Sequence, residues 1–140
     1  MHIAEVENQI IQKIRENIPE LHVEGFPDKP SEFRLTHPNG AILVHYQGGN
    51  YSEPKSLGYI IQDKKLEFSV SVVTRNLRSH EGAYFYIDKI REILTGYRPD
   101  NCSKMQPNKE AFLSEDAGIW QYTINFLLTT PTIEIYEEQP

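Results

Sequence analysis

The residue types that could bind a metal ion or transfer a proton are scattered along this chain. None of its histidines has the close helical or hairpin spacing that zinc and iron sites use. His45 falls within an apolar run, where a hydrogen-bonded or exposed histidine is more common than a catalytic one. The spacing therefore predicts no metal site and no cofactor. The five histidines are His2, His22, His37, His45 and His80.

Sequence motifs for phosphate binding and for nucleophilic catalysis do not occur. Gly48 and Gly49 precede Asn-Tyr-Ser, whereas a P-loop needs a lysine and a hydroxyl residue there. The sequence contains no Gly-x-Ser-x-Gly nucleophile elbow. The carboxylates of Glu115 and Asp116 fall at a predicted hairpin tip, where solvation explains them better than acid–base catalysis. We therefore expect a protein that is not an enzyme.

Four arginines are candidates for specific contacts because they cluster around the two ends of a predicted helix. They are Arg75, Arg78, Arg91 and Arg98. Either they are solvent-facing charges or local ion pairs, worth about 0–1 kcal/mol each, or they contact an acidic neighbour, since arginine is enriched at interfaces. The sequence leaves both alternatives open.

Composition and charge narrow the function classes. A chain of 140 residues fits one domain with one core, and no segment approaches the ~20 apolar residues of a membrane helix. The net charge of −6 disfavours a general nucleic-acid binder, because phosphates must be neutralised by clustered Lys and Arg. The single cysteine, Cys102, predicts no disulfide, and the N-terminus has no secretory signal pattern. We expect residence in a cytoplasm.

Two amphipathic helices are predicted. The first spans residues 3–18 and ends at Pro19. The second spans residues 80–97, with Ser79 as its N-cap and Gly96 as its stop. Tyr84 and Phe85 project more than about 100° from the centre of its apolar stripe. Two aromatic side chains on a polar helix face indicate a partner.

Alternating and β-forming residues predict strands over residues 21–26, 41–47, 58–62, 66–74, 110–115 and 119–130. Tight turns are expected at residues 63–65 and 116–118, and a recognition loop at residues 48–56. The inward face of the last strand is predicted to carry Trp120, Tyr122, Ile124, Phe126 and Leu128. The expected fold is α+β, with a mixed, mainly antiparallel sheet of about five strands and two main helices packed on it. We predict one domain over residues 1–130, closed by Pro131, and an acidic C-terminal tail over residues 131–140.

Several segments carry a family resemblance in the order in which they occur. They are Ile3–Glu7, Phe26-Pro27, Leu35–Val44, Val72–Leu77, Ile90–Pro99 and Gly118–Tyr122. Together they resemble the tail terminator, or tail-completion, proteins of Mu-like phages and prophages. The resemblance spans nearly the whole chain and contains no catalytic signature.

The resemblance implies a structural protein whose subunits close into a ring, expected to be a hexamer. Such a ring caps the last layer of the tail tube, stops its polymerisation and offers a surface for head or neck joining. Its implied partners are further copies of itself, the tail tube protein and head–tail connector or neck proteins. DNA would pass through the lumen without specific binding, because an acidic wall does not hold it. The implied location is the host bacterial cytoplasm during assembly and then the virion tail.

The candidate contact residues follow from the outward aromatics, the arginines and the recognition loop. They are Tyr51, Arg75, Arg78, Tyr84, Phe85, Arg91 and Arg98. One alternative is another neck or tube-initiation component of a phage tail or contractile injection system. The other is a small enzyme or ligand-binding module, which a deep pocket lined by His37 or His45 would favour.

Overall fold

In the part of the chain that the computed structural model describes, residues 2–28, 33–56, 58–79 and 81–135, five β-strands form one sheet and two α-helices pack on it. In chain order the elements are α1 (Ile3–Asn17), β1 (His22–Gly25), β2 (Ala41–Tyr51), β3 (Ile61–Thr74), α2 (Ala83–Leu94), β4 (Gln106–Asp116) and β5 (Ile119–Ile133). The strand order is β1-β2-β3-β5-β4. The β1–β2 pair is parallel and the other three pairs are antiparallel. The predicted α+β fold with a mixed, mainly antiparallel sheet is confirmed.

The core lies between the helices and one face of the sheet. The register places Val44 of β2 beside Val70 of β3, and Val70 beside Ile124 of β5, so apolar side chains form continuous rows across the strands. Both helices pack isoleucine side chains against these rows. Ile14 of α1 and Ile90 of α2 are fully buried. Burying such a side chain contributes about 1.5–3 kcal/mol relative to its exposure.

The start of α2 differs from the prediction. The helix begins at Ala83 with Gly82 as its N-cap, so Ser79 is not the cap, and His80 lies outside the described residues. The N–H groups of Ala83 and Tyr84 donate to backbone carbonyls of the preceding turn, at 2.9 and 3.1 Å. These bonds replace a side-chain cap. A Cβ on Gly82 would lie 2.5 Å from the Asn76 carbonyl oxygen, so this approach requires glycine.

The predicted turn at residues 63–65 is wrong. Strand β3 is continuous there, and Lys64 pairs with Tyr51 of β2 on one side and Thr130 of β5 on the other. The chain reverses at residues 52–60 instead, because β2 continues through Gly48 and Gly49 as far as Tyr51. A bulge after Tyr46 accommodates the glycine pair.

The end of β5 also differs from the prediction. The strand continues through Pro131 to Ile133, and Pro131 pairs with Asp63 of β3. Because β4 pairs with β5 only as far as Leu127, β5 is an edge strand at Pro131, where the lack of an N–H is tolerated. Residues 131–133 are therefore part of the sheet, and residues 136–140 of the predicted tail lie outside the described residues.

The predicted inward face of β5 is only partly buried. Ile124, Phe126 and Leu128 are buried, whereas Trp120 and Tyr122 are half-buried. A helix of 12 residues spans about 18 Å, and a strand of 15 residues spans about 50 Å. The helices therefore cannot cover the whole length of β5.

Candidate functional site

A groove opens between α2 and β4 because α2 packs over β3 and β5 and leaves the edge strand uncovered. We call it the aromatic groove. Its volume is 420 Å³, and its lining residues are Tyr84, Ile87, Asp88, Glu110, Ala111, Phe112 and Tyr122.

The aromatic rings of the groove contact one another across three elements. The ring of Tyr84 meets the ring of Tyr122 edge-on, with centroids 6.2 Å apart. Phe112 of β4 lies 5.6 Å from Tyr122 and 6.2 Å from Trp120, between ring centroids. Desolvation and the neighbouring Tyr84 hydroxyl raise the pKa of Tyr122, so its phenol stays protonated at neutral pH. The groove wall is thus apolar and uncharged at its aromatic side.

Large apolar side chains remain exposed along this groove and beside it. Tyr84 is 44 % exposed, Phe85 41 % and Phe112 52 %. Two cations border them: the Arg78 guanidinium lies 5.6 Å from the Tyr84 ring centroid, and the Lys89 ammonium lies 5.5 Å from that of Phe85. An exposed apolar patch rimmed by charges is typical of a surface that binds another protein.

The neighbouring Tyr86 faces the opposite way. It is buried, and its hydroxyl donates to a carboxylate oxygen of Glu20 over 3.3 Å. Burial, followed by the charge of Glu20, raises the pKa of this phenol. The contrast between Tyr86 and the outward Tyr84 and Phe85 follows the helical period, as predicted.

The four arginines occupy different places. Arg78 lies beside the aromatic groove. Arg75 donates to the carbonyl of Leu35 over 3.1 Å, and Arg98 donates to the carbonyl of Cys102 over 2.8 Å. Arg91 forms an ion pair with Asp88 at 2.9 Å. Three of the four thus form a hydrogen bond or an ion pair within the chain, and Arg78 lies over the Tyr84 ring; their role at an interface stays a prediction.

Comparison with known protein families shows to which family the chain belongs. A family model described as Gp37 protein matches residues 10–140. The chain belongs to the Gp37 protein family. This is a phage-related family, so the expected kinship with phage proteins is confirmed at that level. A comparison with curated proteins found no match.

Tyr51 of this Gp37-family protein lies far from the aromatic groove. It is level with Lys64 of β3, whereas Tyr122 is level with Val72. Lys64 and Val72 are eight positions apart along β3, which corresponds to about 26 Å. The structure therefore separates Tyr51 from Tyr84, Phe85 and Arg78 beside the aromatic groove.

Tyr51 instead belongs to a second exposed apolar surface, which we call the tip. The tip is the end of the sheet beyond the helices, and its exposed apolar residues are Tyr51, Tyr59, Ile60, Ile133 and Ile135. Sequence reasoning identified only Tyr51 among them. Extending β5 past Pro131 would have included Ile133 in the strand, on the face opposite Leu128.

A second concave site of this Gp37-family protein lies on the sheet face opposite the helices. It has a volume of 360 Å³, and Phe26, His45 and Leu113 are part of its lining. Burial lowers the pKa of His45, and a hydrogen bond with Gln47 opposes this effect. The Nδ1 atom of His45 is buried and has no hydrogen-bond partner within the described residues.

Several other polar groups on that face bond to one another. The Ser69 and Thr123 hydroxyls are 2.7 Å apart, and the Asn125 amide donates to Glu67 over 2.7 Å. Across residues 2–28, 33–56, 58–79 and 81–135, no group of three His, Cys, Asp or Glu side chains is placed to hold a metal ion. In the same part of the chain, no helix has the length and apolarity needed to cross a membrane.

Proposed function

We propose that this Gp37-family protein is a structural tail protein that forms a hexameric ring on the end of the tail tube. The ring stops tube polymerisation and provides a surface for head or neck joining. The observation that carries the proposal is the aromatic groove, where three large aromatic side chains of the groove and its rim stay exposed. Their exposure does nothing for the fold and is explained by burial against another protein.

Ring closure and tube capping follow from the symmetry of such contacts. A contact between two different surfaces of identical subunits gives a closed ring when the rotation between neighbours closes. A ring whose outer surface does not match the tube subunit blocks further addition. The net charge of −6 would keep the lumen from holding DNA, which fits a passage for it.

The proposed role requires no chemical step. The aromatic groove contains no nucleophile paired with a base, and its ionisable groups are two carboxylates and two phenols. We therefore propose that the protein is not an enzyme. Its place would be the host bacterial cytoplasm during assembly and the virion tail afterwards.

The test is electron microscopy of tails made in a host from which this gene has been deleted. Overlong tubes are expected, and supplying the wild-type gene should restore their length. Tubes of normal length that lack heads would favour a neck component instead. The absence of tubes would favour a tube-initiation component. Either result would overturn termination.

A second candidate function is ligand binding on the face opposite the helices. The specific observation is the buried Nδ1 atom of His45, which lacks a partner among the described residues and lies beside a pocket that Phe26 and Leu113 line together with polar side chains. A small molecule with one hydrogen-bond donor and one apolar group would satisfy both features. Nuclear magnetic resonance titration with small amides and alcohols tests this function. Saturable shifts of the His45 ring that are absent from His45→Gln would support it, and unsaturable shifts would reject it.

A further inference from the structure

We propose that the outer edge of β4 pairs with an extended segment of another tail protein, which adds one strand to the sheet. This inference rests on the proposed ring and goes beyond it, since it concerns a contact between the ring and a neighbouring protein. The partner is recognised mainly through its backbone, as in other cases of β-strand addition.

The direction of the backbone groups of β4 follows from those of its neighbour β5. The carbonyl of Thr129 accepts from the N–H of Ser103, which precedes β4, over 2.7 Å. The N–H of Glu134, directly after β5, donates to the carbonyl of Ile60, which precedes β3, over 2.8 Å. Because this direction alternates along a strand and β5 pairs with β3 without a register shift, odd-numbered residues of β5 bond towards β4 and even-numbered residues bond towards β3.

Glu110 and Phe112 consequently have backbone groups that point away from the sheet. They lie opposite Ile124 and Tyr122 of β5, which are even-numbered and bond towards β3. The N–H and C=O groups of Glu110 and Phe112 therefore face the outer side of β4, where no strand of the described part of the chain lies. The intervening Ala111 directs its backbone groups at β5 instead. Two residues of β4 can thus bond to an added strand.

The stretch of β4 that can accept a strand is short. Bulges interrupt its pairing with β5 at Asn108 and at Leu113, and Pro107 has no N–H. Bulges, proline and lysine are features that protect an edge strand from indiscriminate pairing. Between the two bulges the strand is regular, so an added strand would pair with Lys109–Phe112 and form about four backbone hydrogen bonds.

The opposite edge of the sheet is short and partly occupied. Strand β1 has four residues. The N–H groups of His22 and Phe26 bond towards β2, so the backbone groups of Val23 face outward. The Val23 carbonyl already accepts two hydrogen bonds from the Arg15 guanidinium, at 3.0 and 2.8 Å. This edge is therefore poorly suited to pair with β4 of a neighbouring copy and continue the sheet from subunit to subunit.

The symmetry of the proposed ring leaves β4 to a different protein. Pairing of β4 with β4 of a second copy would be two-fold symmetric and would occupy both edges, so it would stop at a dimer. A ring instead requires contacts between two different surfaces of each copy. The edge of β4 is thus free within the ring to accept a segment of another tail protein.

The side chains of the accepting stretch indicate the composition of the partner segment. Phe112 lies on the side of the aromatic groove and is 52 % exposed. Lys109 lies on the other face of the sheet and has no ion pair within the described residues. Side chains that lie directly opposite each other on neighbouring strands interact. A segment with an apolar residue opposite Phe112 and an acidic residue opposite Lys109 would complement both.

The test replaces single residues of β4 by proline. Glu110→Pro removes an N–H that points outward, so the protein should still fold, because proline is tolerated at such positions of an edge strand. Its self-association by light scattering should equal that of wild type, whereas the number of complete tails in a deletion host should fall about tenfold or more. Glu110→Ala keeps the N–H and is the matched control, which should support tails like wild type. Circular dichroism checks that each variant folds, and if Glu110→Pro does not, Phe112→Pro tests the second outward N–H.

Hydrogen exchange of the isolated protein checks the backbone directions independently. The amides of Glu110 and Phe112 should exchange about a hundredfold faster than the amide of Ala111, because only the last is bonded to β5. Nuclear magnetic resonance measures the three rates. An Ala111 amide that exchanges faster than the other two would overturn the inference.

The outcomes separate this inference from the proposed function. If Glu110→Pro folds and supports tails as well as Glu110→Ala does, strand addition at β4 is overturned while the ring stands. If Glu110→Pro loses a self-association that Glu110→Ala retains, the strand comes from a second copy, and the assignment to another tail protein is overturned. Tubes of normal length in the host without this gene would reject the proposed function itself.

Discussion

The two helices of this protein bury similar apolar stripes on the same sheet, but their outer faces differ. In α1 the buried residues are Val6, Ile10, Ile11 and Ile14, and the exposed ones include Glu5, Gln12 and Glu16. In α2 the buried residues are Ala83, Tyr86, Ile87, Ile90 and Leu94, yet Tyr84 and Phe85 are exposed.

The difference separates residues needed for folding from residues available for assembly. Both inner stripes are explained by the hydrophobic core alone. The outer face of α1 is polar, as expected for the solvent-exposed side of a surface helix. The aromatic outer face of α2 has no such explanation, so we propose that α2 and the groove beside it form the assembly surface.

The largest expected effect is on the free energy of unfolding, and it tests whether the buried stripes of α1 and α2 contribute equally to stability. Ile14 of α1 and Ile90 of α2 are both fully buried. Ile14→Ala and Ile90→Ala should each lower the free energy of unfolding by about 2–5 kcal/mol, because each removes buried methyl groups and leaves a cavity. Urea denaturation measures both changes. A loss below about 1 kcal/mol at either site would contradict the equivalence of the two stripes.

The next effect tests the difference between the outer faces. Phe85→Asp should weaken assembly at least tenfold, equal to about 1.4 kcal/mol, while it lowers the free energy of unfolding by about 1 kcal/mol through lost ring contacts. Gln12→Asp at the outer face of α1 should leave assembly unchanged and lower the free energy of unfolding by less than about 1 kcal/mol, through helix propensity and the charge of Glu16. Light scattering and urea denaturation provide the measurements. Unfolding of Phe85→Asp would place Phe85 in the core and refute its assignment to the interface.

A smaller effect concerns the contact of α2 with the segment that follows α1. Tyr86→Phe removes the hydroxyl that donates to Glu20 and should cost about 1 kcal/mol of stability without changing assembly. Because the pKa of Tyr86 is raised in the folded state, the unfolded chain loses this proton first as pH rises. Wild-type stability should therefore fall above about pH 10. If Tyr86→Phe shows the same alkaline decline, Tyr86 is not its cause.

The smallest effect compares one lysine on each helix. The Lys13 ammonium lies 5.3 Å from the Tyr97 ring centroid, and that of Lys89 lies 5.5 Å from the Phe85 centroid. Lys13→Ala and Lys89→Ala should each lower stability by about 0.5–1 kcal/mol. Lys89→Ala alone should also change the affinity of assembly, since Lys89 borders the groove. An equal change in assembly for both variants, measured by light scattering, would remove the distinction between the helices.

The elements could be predicted where a local pattern is sufficient. The spacing of isoleucines predicts α1, and Gly96, with a φ of +85°, follows the end of α2 as expected. The hairpin at residues 116–118 is also correct, because Ala117 and Gly118 adopt the positive φ angles that a tight turn needs.

Local patterns mislead where neighbouring strands override them. The polar run at residues 63–65 has turn-forming composition, but strands on both sides hold it extended. Similarly, Ser79 has the right chemistry for an N-cap, but backbone carbonyls of the preceding turn occupy that role. Contacts distant in sequence decide the first case, and the close approach of the backbone at Gly82 decides the second.

The candidate site is predictable in part. The helical period is enough to predict that Tyr84 and Phe85 point away from the core. The contributions of Phe112, Trp120 and Tyr122 are not predictable, because alternation places the last two on the face that the helices cover. Only the position of α2 over β3 and β5 reveals that this face is open on the side of the edge strand β4.

The sequence by itself determined which side chains share a face, because the periods of a helix and a strand follow from local backbone geometry. It therefore determined the fold class and the outward aromatics of α2. Only the tertiary structure decided how far each face is covered, because coverage depends on the lengths and positions of elements distant in the chain. Helix α2 leaves the edge strand β4 uncovered, and the sheet extends beyond the helices at one end; the aromatic groove and the tip lie at these two places.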